Sequence, residues 1–374
     1  KVKDLIRPVV IRRSRVDLKN IDVYSDDLAK QWYEFAEVEI DSLEYNLWNL
    51  QDLYTDTLDE LIELDENNLP MHFKWARYMI LSMIKDQYKT DYQATIEQTL
   101  WYKFDLLKWR QENMPFFIRR LLVARYESSK QAFLNTVKSL LTSIENIYQY
   151  LEHFDALPVV KKWSLPDIDA LLEDESWFFE EEIQSNKLDS VIKYINSKDG
   201  ILISKDHIDP AFFDYLEADK RYLMQLHNDR SSIQDDPKYQ SLVDDLHRQL
   251  SDNPKRKIVI FSSYADTILD LADKLSNTNI RFLSVTWGTK TQELKNHIKH
   301  NFDAWVSLEQ QEDNFDVLLA TDAISEGYNL HRAWTIINYD IPYNPTRVIQ
   351  RIWRINRINK KMFDELYVYN YFPT

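Results

Sequence analysis

Gln350, Arg354 and Arg357 recur at spacings of four and three in the stretch Gln350-Arg351-Ile352-Trp353-Arg354-Ile355-Asn356-Arg357. On an α-helix those spacings stack side chains one turn apart on a shared face. Arginine stays charged at any working pH and presents five donors in a planar fork. Two such forks beside a glutamine suit a grip on phosphate oxygens, in a bound nucleotide or at a phosphoryl-transfer transition state. Taken alone, a Gln/Arg run reads better as a basic helix face in solvent. Its flanks reverse that preference.

Upstream, short apolar runs alternate with helical patterns. A helix begins at Asp236-Pro237 and runs to about Leu250, with proline in its first turn. Strand patterns follow at Lys257–Phe261, Ile280–Val285, Val317–Ala320 and Thr335–Tyr339, and a last one spans Glu365–Asn370. Helical patterns over Ala265–Leu275 and Gln292–Phe302 lie between them, and the helix of Arg354 precedes the last strand. This alternation predicts a parallel sheet covered by helices on both faces. Ligands of such sheets bind at the carboxyl ends of the strands. The polar residues gather there: Ser262 and Ser263 after one strand, Thr321 to Leu330 after another, and Asp340 to Pro345 leading into Gln350. Plainer roles also exist. Thr321 and Asp322 would serve as a helix cap, and Ser262 and Ser263 as turn residues. His297, His300 and His331 have no zinc-ligand spacing and read as surface histidines.

Residues 25–229 carry a mainly helical pattern. One example is the recurrence of Leu121, Leu122, Ala124, Phe133, Val137, Leu140, Leu141, Ile144 and Ile147. Trp32, Tyr33, Phe35, Tyr45, Trp48 and Tyr54 suggest an aromatic core for that region, without the interleaved basic residues of a base-stacking platform. Pro158, Pro166 and Pro210 read as breaks. The acidic runs Glu173-Asp174-Glu175 and Glu180-Glu181-Glu182 read as a solvated face. Residues 1–24 form a basic segment with an extended stretch at Pro8-Val9-Val10-Ile11.

Composition narrows the options. The net charge of −15 is uneven: residues 255–374 hold 15 Lys+Arg against 14 Asp+Glu, whereas residues 1–254 hold 31 against 47. An acidic chain is a poor non-specific nucleic-acid binder, so any such contact must be local. No cysteine is present, which removes disulfides and thiol catalysis and fits a cytoplasmic setting. No apolar run approaches the roughly 20 residues that span a bilayer, so no membrane partner is expected. The 374 residues contain only three glycines, Gly200, Gly288 and Gly327. A phosphate-binding loop of the form G-x-x-x-x-G-K-[ST] cannot be assembled from them. The first residue is Lys rather than Met, and the expectation is a piece of a longer polypeptide.

At this point the C-terminal stretch resembles the second RecA-like lobe of superfamily-2 helicases and translocases. The Lys257–Ser263 strand is similar to their motif IV. Leu319-Ala320-Thr321-Asp322-Ala323-Ile324-Ser325-Glu326-Gly327-Tyr328-Asn329-Leu330 is similar to motif V, and Gln350–Arg357 to the motif VI pattern Q-x-x-G-R-x-x-R. Ser325–Leu330 and Asn356–Asn359 lean toward the Swi/Snf-type and RapA-like branch, and Arg12-Arg13-Ser14-Arg15 resembles the close of that branch's first lobe. Two positions depart from the pattern: Trp353 stands where the motif has Gly, and Trp334 where a small residue is expected.

The resemblance implies an α/β fold, a RecA-like lobe over 230–374, joined to a large mainly α-helical insertion over 25–229, with 1–24 trailing from a first lobe. It implies that Arg354 and Arg357 reach the ATP γ-phosphate and that Gln350 couples nucleotide to lobe closure. Glu326, Gly327 and Asn329 would lie near the nucleotide, while Thr321, Ser262 and Ser263 would face a nucleic-acid backbone. ATP and Mg²⁺ belong to the full-length parent, with none held tightly by this stretch alone, which is expected to be inactive without the missing N-terminal lobe. DNA is expected over RNA. The alternative is a non-catalytic binding module whose helical region engages a protein partner over a RecA-like scaffold.

Overall fold

The computed structural model describes residues 33–34, 36–47, 50–63, 72–160, 187–286, 291–322, 328–342, 344–356, 359–360 and 363–373. The trailing segment at 1–24, Pro166 and the acidic runs lie outside these residues.

Two short strands, β1 (Tyr33–Glu34) and β9 (Asn359–Lys360), pair antiparallel, and a separate parallel sheet has six strands. They are β2 (Glu37–Tyr45), β5 (Ile258–Ser262), β6 (Phe282–Val285), β7 (Val317–Thr321), β8 (Thr335–Asn338) and β10 (Glu365–Pro373). Their spatial order is β2-β10-β8-β5-β7-β6, and every neighbouring pair is parallel. The central strand shows why the sequence reads as it does. Ile258 and Ile260 point into one apolar core, and Val259 and Phe261 into the other. A strand buried on both faces is apolar without alternation. The first core is covered by Leu242 and Leu246 of α7 (Pro237–Asp252) and by Ile268, Leu271 and Leu275 of α8 (Ala265–Leu275). The second is covered by Ile298 and Phe302 of α9 (Gln292–Phe302) and Ile355 of α10 (Pro345–Ile355).

The helical region contains α1 (Gln51–Ile62), α2 (Asp86–Thr99), α3 (Phe104–Ser128), α4 (Lys130–Phe154), α5 (Leu188–Asn196) and α6 (Ala211–Ser231). A buried stripe at Phe133, Val137, Leu140, Ile144 and Ile147 runs along α4, spaced four and three apart. It packs with Ile118 and Leu121 of α3 and Phe212 and Leu216 of α6. The long helical pattern is broken at Ser129, whose hydroxyl accepts from the Ala132 N–H at 3.1 Å and caps α4. Such a cap contributes about 1 kcal/mol.

Two expectations for residues 25–229 are corrected. Glu37–Tyr45 is not helical; it is an edge strand in nine-residue register with β10. The open edge of β10 decided this, because nine parallel pairings outweigh weak local propensity. Tyr45 accordingly packs in the first sheet core, and Tyr54 bridges it to the helical region by stacking on Tyr126 of α3 at 5.1 Å, while Trp32, Phe35 and Trp48 lie outside the described residues. Pro158 is not a break either. It sits within β3 (Ala156–Val160), which pairs antiparallel with β4 (Gly200–Ser204). With β4 as its sole neighbour among the described strands, β3 has an open edge, where proline is tolerated. Pro210 does mark a boundary, as the N-cap of α6. Among the described residues no helix is long and apolar enough to cross a membrane.

Asp219 of α6 is fully buried, and its two carboxyl oxygens accept from the Lys74 and Ala76 backbone N–H groups at 2.5 and 2.8 Å. Burial nevertheless pushes its carboxyl up to about 7, against those hydrogen bonds. A carboxyl whose folded pKa is raised contributes stability that is complete below the unfolded pKa and lost as pH rises through the folded value. Between about pH 4 and 7 this group should therefore remove roughly 2–4 kcal/mol from the unfolding free energy. Urea melts of the wild type and D219N across that range test this. The difference between the two should change with pH as stated, and parallel pH profiles would remove Asp219 as its source.

Candidate functional site at the strand ends

The loops that follow β5, β7 and β8 meet at one rim of the sheet. Parallel register sets Ser262 beside Thr321 and Phe261 beside Asn338. Helix α10 arrives from the β8 loop, started by Asn344, whose side chain accepts from the Thr346 N–H at 3.0 Å, and by Pro345 at its first turn.

Arg351 fixes the inward face of that helix and is fully buried. Its Nε donates to Asp322 Oδ1 at 2.6 Å and its Nη2 to Asp322 Oδ2 at 2.7 Å. Nη1 donates to Asn338 Oδ1 at 2.8 Å and to the Asp340 carbonyl at 3.3 Å. The guanidinium carbon also lies 5.2 Å from the centre of the Phe261 ring. One side chain thus ties α10 to the ends of β7 and β8. Arg347, one turn earlier, adds a contact to Asp322 at 3.6 Å. Asp322 therefore serves as Arg351's partner, where the sequence alone suggested a helix cap.

With Arg351 turned inward, Gln350 is exposed and Arg354 half-buried. The Arg354 carbonyl accepts from the Leu330 N–H at 3.2 Å, which brings the end of the β7 loop against α10. Asn329, on that loop, donates to Asp303 at 3.3 Å. Arg357, Glu326 and Gly327 lie outside the described residues. Trp353 is 51% exposed, so it projects from the helix instead of entering the sheet core. Trp334 packs against Phe363 at 5.9 Å, with the Arg256 guanidinium 5.1 Å above its ring. His331 is corrected: it is buried, 3.6 Å from Asp303, not at the surface.

The β5 side of the rim is organised by Asp340. Its carboxylate accepts from the Ser262 hydroxyl, from the Ser263 N–H at 2.7 Å and from the Ser128 hydroxyl at 2.6 Å. Ser262 is fully buried and also accepts from the Tyr264 N–H at 3.1 Å, so its hydroxyl is engaged inside the turn. Ser263 Oγ and Thr321 Oγ1 differ: both are buried and have no hydrogen-bond partner among the described residues. A buried hydroxyl left unpaired costs about 1–3 kcal/mol, and either group can donate to a phosphate oxygen. Arg351, Asp340 and Ser128 received no role from the sequence. For Arg351 a signal existed, since Arg347, Arg351 and Ile355 at spacing four mark the inward face of α10.

Breaking a buried, hydrogen-bonded ion pair by removing one partner typically costs about 3–5 kcal/mol. R351A should lower the unfolding free energy by that much in denaturant melts, and R351K should rescue little, since an ammonium cannot reproduce the fork. An R351A variant as stable as wild type would show that this pair does not hold the rim.

Residues 238–359 match the family model described as the helicase conserved C-terminal domain. An uncharacterized ATP-dependent helicase, YqhH of Bacillus subtilis, is 33% identical over 128 residues, which are 34% of this chain and 20% of the relative. The RNA polymerase-associated protein RapA of Pseudomonas fluorescens is 30% identical over 133 residues, 36% of this chain and 13% of the relative. The chain thus spans a fifth or less of the length of these relatives. The helicase domain of Pyrococcus furiosus Hef aligns over 95% of this chain and 58% of its own, at 12% identity and a TM-score of 0.36, too loose to carry an argument. Sequence match and sheet fall on the same stretch: residues 238–359, which resemble the helicase conserved C-terminal domain, carry four of the six strands of the parallel sheet and helix α10.

Proposed function

We propose that this chain supplies one half of an interlobe ATPase site in a nucleic-acid-dependent helicase or translocase that acts on duplex DNA. The observation that carries the reading is the rim itself. Arg351 locks α10 against the strand ends with Gln350 exposed and Arg354 half-buried, and the same rim holds two buried hydroxyls that lack partners among the described residues. Arg354 and Arg357 would stabilise charge on the transferred γ-phosphoryl group, and Gln350 would couple the nucleotide to lobe closure. Glu326, Gly327 and Asn329 would border the nucleotide. Thr321 Oγ1 and Ser263 Oγ would donate to backbone phosphates, which positions a duplex without reading its sequence. Ser262 would support that contact indirectly, by holding Asp340 beside Ser263. The preference for DNA rests on the Swi/Snf-type and RapA-like character of Ser325–Leu330.

The other half of the site would lie on an N-terminal lobe carrying the phosphate-binding loop. Acidic residues of that lobe would hold the Mg²⁺ that accompanies ATP. On this reading residues 1–374 alone hydrolyse ATP negligibly. The non-catalytic reading draws on a different observation. Trp101, Leu106, Trp109 and Phe116, at and along the start of α3, are exposed and would suit a protein partner.

In the intact protein, R354A should lower duplex-stimulated ATP turnover by about 10³-fold, by analogy with arginine fingers. Turnover near wild type would remove Arg354 from the site. Binding to duplex DNA should weaken steeply with salt. Stimulation by RNA but not by duplex DNA would reassign the substrate, and loss of both would favour the non-catalytic module.

A further inference from the structure

The helical region meets the lobe at an elbow. Helix α3 ends at Ser128 and α4 begins at Lys130, each helix being 25 residues long. At 1.5 Å per residue each is a lever of about 37 Å. The elbow between them is buried against the first loop of the rim. Ser128 is fully buried, and its hydroxyl donates to Asp340 at 2.6 Å. Thr267 of α8 lies 2.7 Å from the Ser128 hydroxyl and 2.9 Å from that of Ser129. On the α3 side, Arg125 donates to Asp266 at 2.7 Å and stacks 4.9 Å from the Tyr264 ring centre. From the lobe, Lys238 of α7 reaches back and donates to the Glu127 and Ser128 carbonyls at 2.7 and 3.0 Å. Burial pushes this lysine down to about 8, although Asp340, Asp236 and Glu127 draw it up. Contacts from α7 and α8 therefore converge on the end of α3.

Asp340 passes this contact on. Its carboxylate holds the Ser262 hydroxyl and the Ser263 N–H, and its own carbonyl accepts from Arg351. A continuous hydrogen-bonded path thus runs from the elbow to the β5 loop and to the helix of Arg354. We propose that Ser128 is a positioning residue for this half-site: its hydroxyl holds Asp340, and so Ser263 and α10, in the geometry that phosphate contact requires. The functional part of this inference rests on the reading of the rim as a nucleic-acid-dependent ATPase half-site. The helical region then acts on the rim as well as being carried by the lobe.

The intact protein tests it with S128A and S128T. Substitutions along a link of this kind shift the coupling between two sites several-fold. S128A should accordingly raise the duplex concentration for half-maximal ATPase stimulation about 5-fold, with the KM for ATP nearly unchanged. S128T keeps the hydroxyl and should restore most of the loss. Amide hydrogen exchange reads the same link without turnover. In S128A the Ser263 N–H, which Asp340 holds, should exchange faster, whereas Ala132, capped by Ser129, should not. Unchanged Ser263 exchange would overturn the proposal, as would equal impairment of S128A and S128T. A wild type without nucleic-acid-stimulated turnover would instead refute the ATPase reading, and exchange at Ser263 would still decide the link.

Discussion

The placement of α10 at the rim depends on the fork of Arg351 upon Asp322. A guanidinium with no exposed surface must have its donors answered, and this one is answered by a carboxylate, a side-chain amide and a backbone carbonyl from two different strand ends. Because the fork is planar and rigid, it fixes the rotation of α10 about its axis as well as its distance from the sheet. That rotation decides which of the helix's polar residues face solvent. With Arg351 turned inward, Gln350 is left exposed and Arg354 half-buried.

A second carboxylate, Asp340, does for the β5 loop what Asp322 does for α10. Its three donors come from β5, from the turn after it and from the end of α3. The two acids lie at the ends of strands separated by β5 alone in the sheet. Arg351 touches both, one through its side chain and one through its carbonyl. The helical region is therefore joined to the lobe through polar groups that already belong to the site. Lys238 and Arg125 strengthen the same junction from either side. Buried polar networks of this kind favour one arrangement over its neighbours, because each half-satisfied alternative leaves a charge or hydroxyl unpaired.

Much of the lobe was legible in the chain itself. Helices α8 and α9 and the strands around them follow from apolar period, since a central parallel strand must be apolar on both faces. The Asp236-Pro237 start of α7 follows from capping chemistry. Helix α10 itself and the gathering of polar residues after β5, β7 and β8 were visible as spacing. Strand β2 was not, because its acidic alternation Glu37-Val38-Glu39-Ile40-Asp41 is stabilised mainly by the free edge of β10, more than 300 residues away in sequence. Ser128 was equally silent, being an unremarkable serine until the α3–α4 elbow carries it to Asp340.

The sequence by itself determined that donor-rich residues would ride on the ends of a parallel sheet, because periodicity and donor chemistry are local properties. Tertiary structure alone decided which arginine is buried and which is presented. It also assigned the Ser262 hydroxyl to Asp340, left those of Ser263 and Thr321 without a partner among the described residues, and made the helical region a neighbour of the site. Those outcomes depend on burial and on partners far apart in the chain, and neither is encoded in the spacing of any one segment.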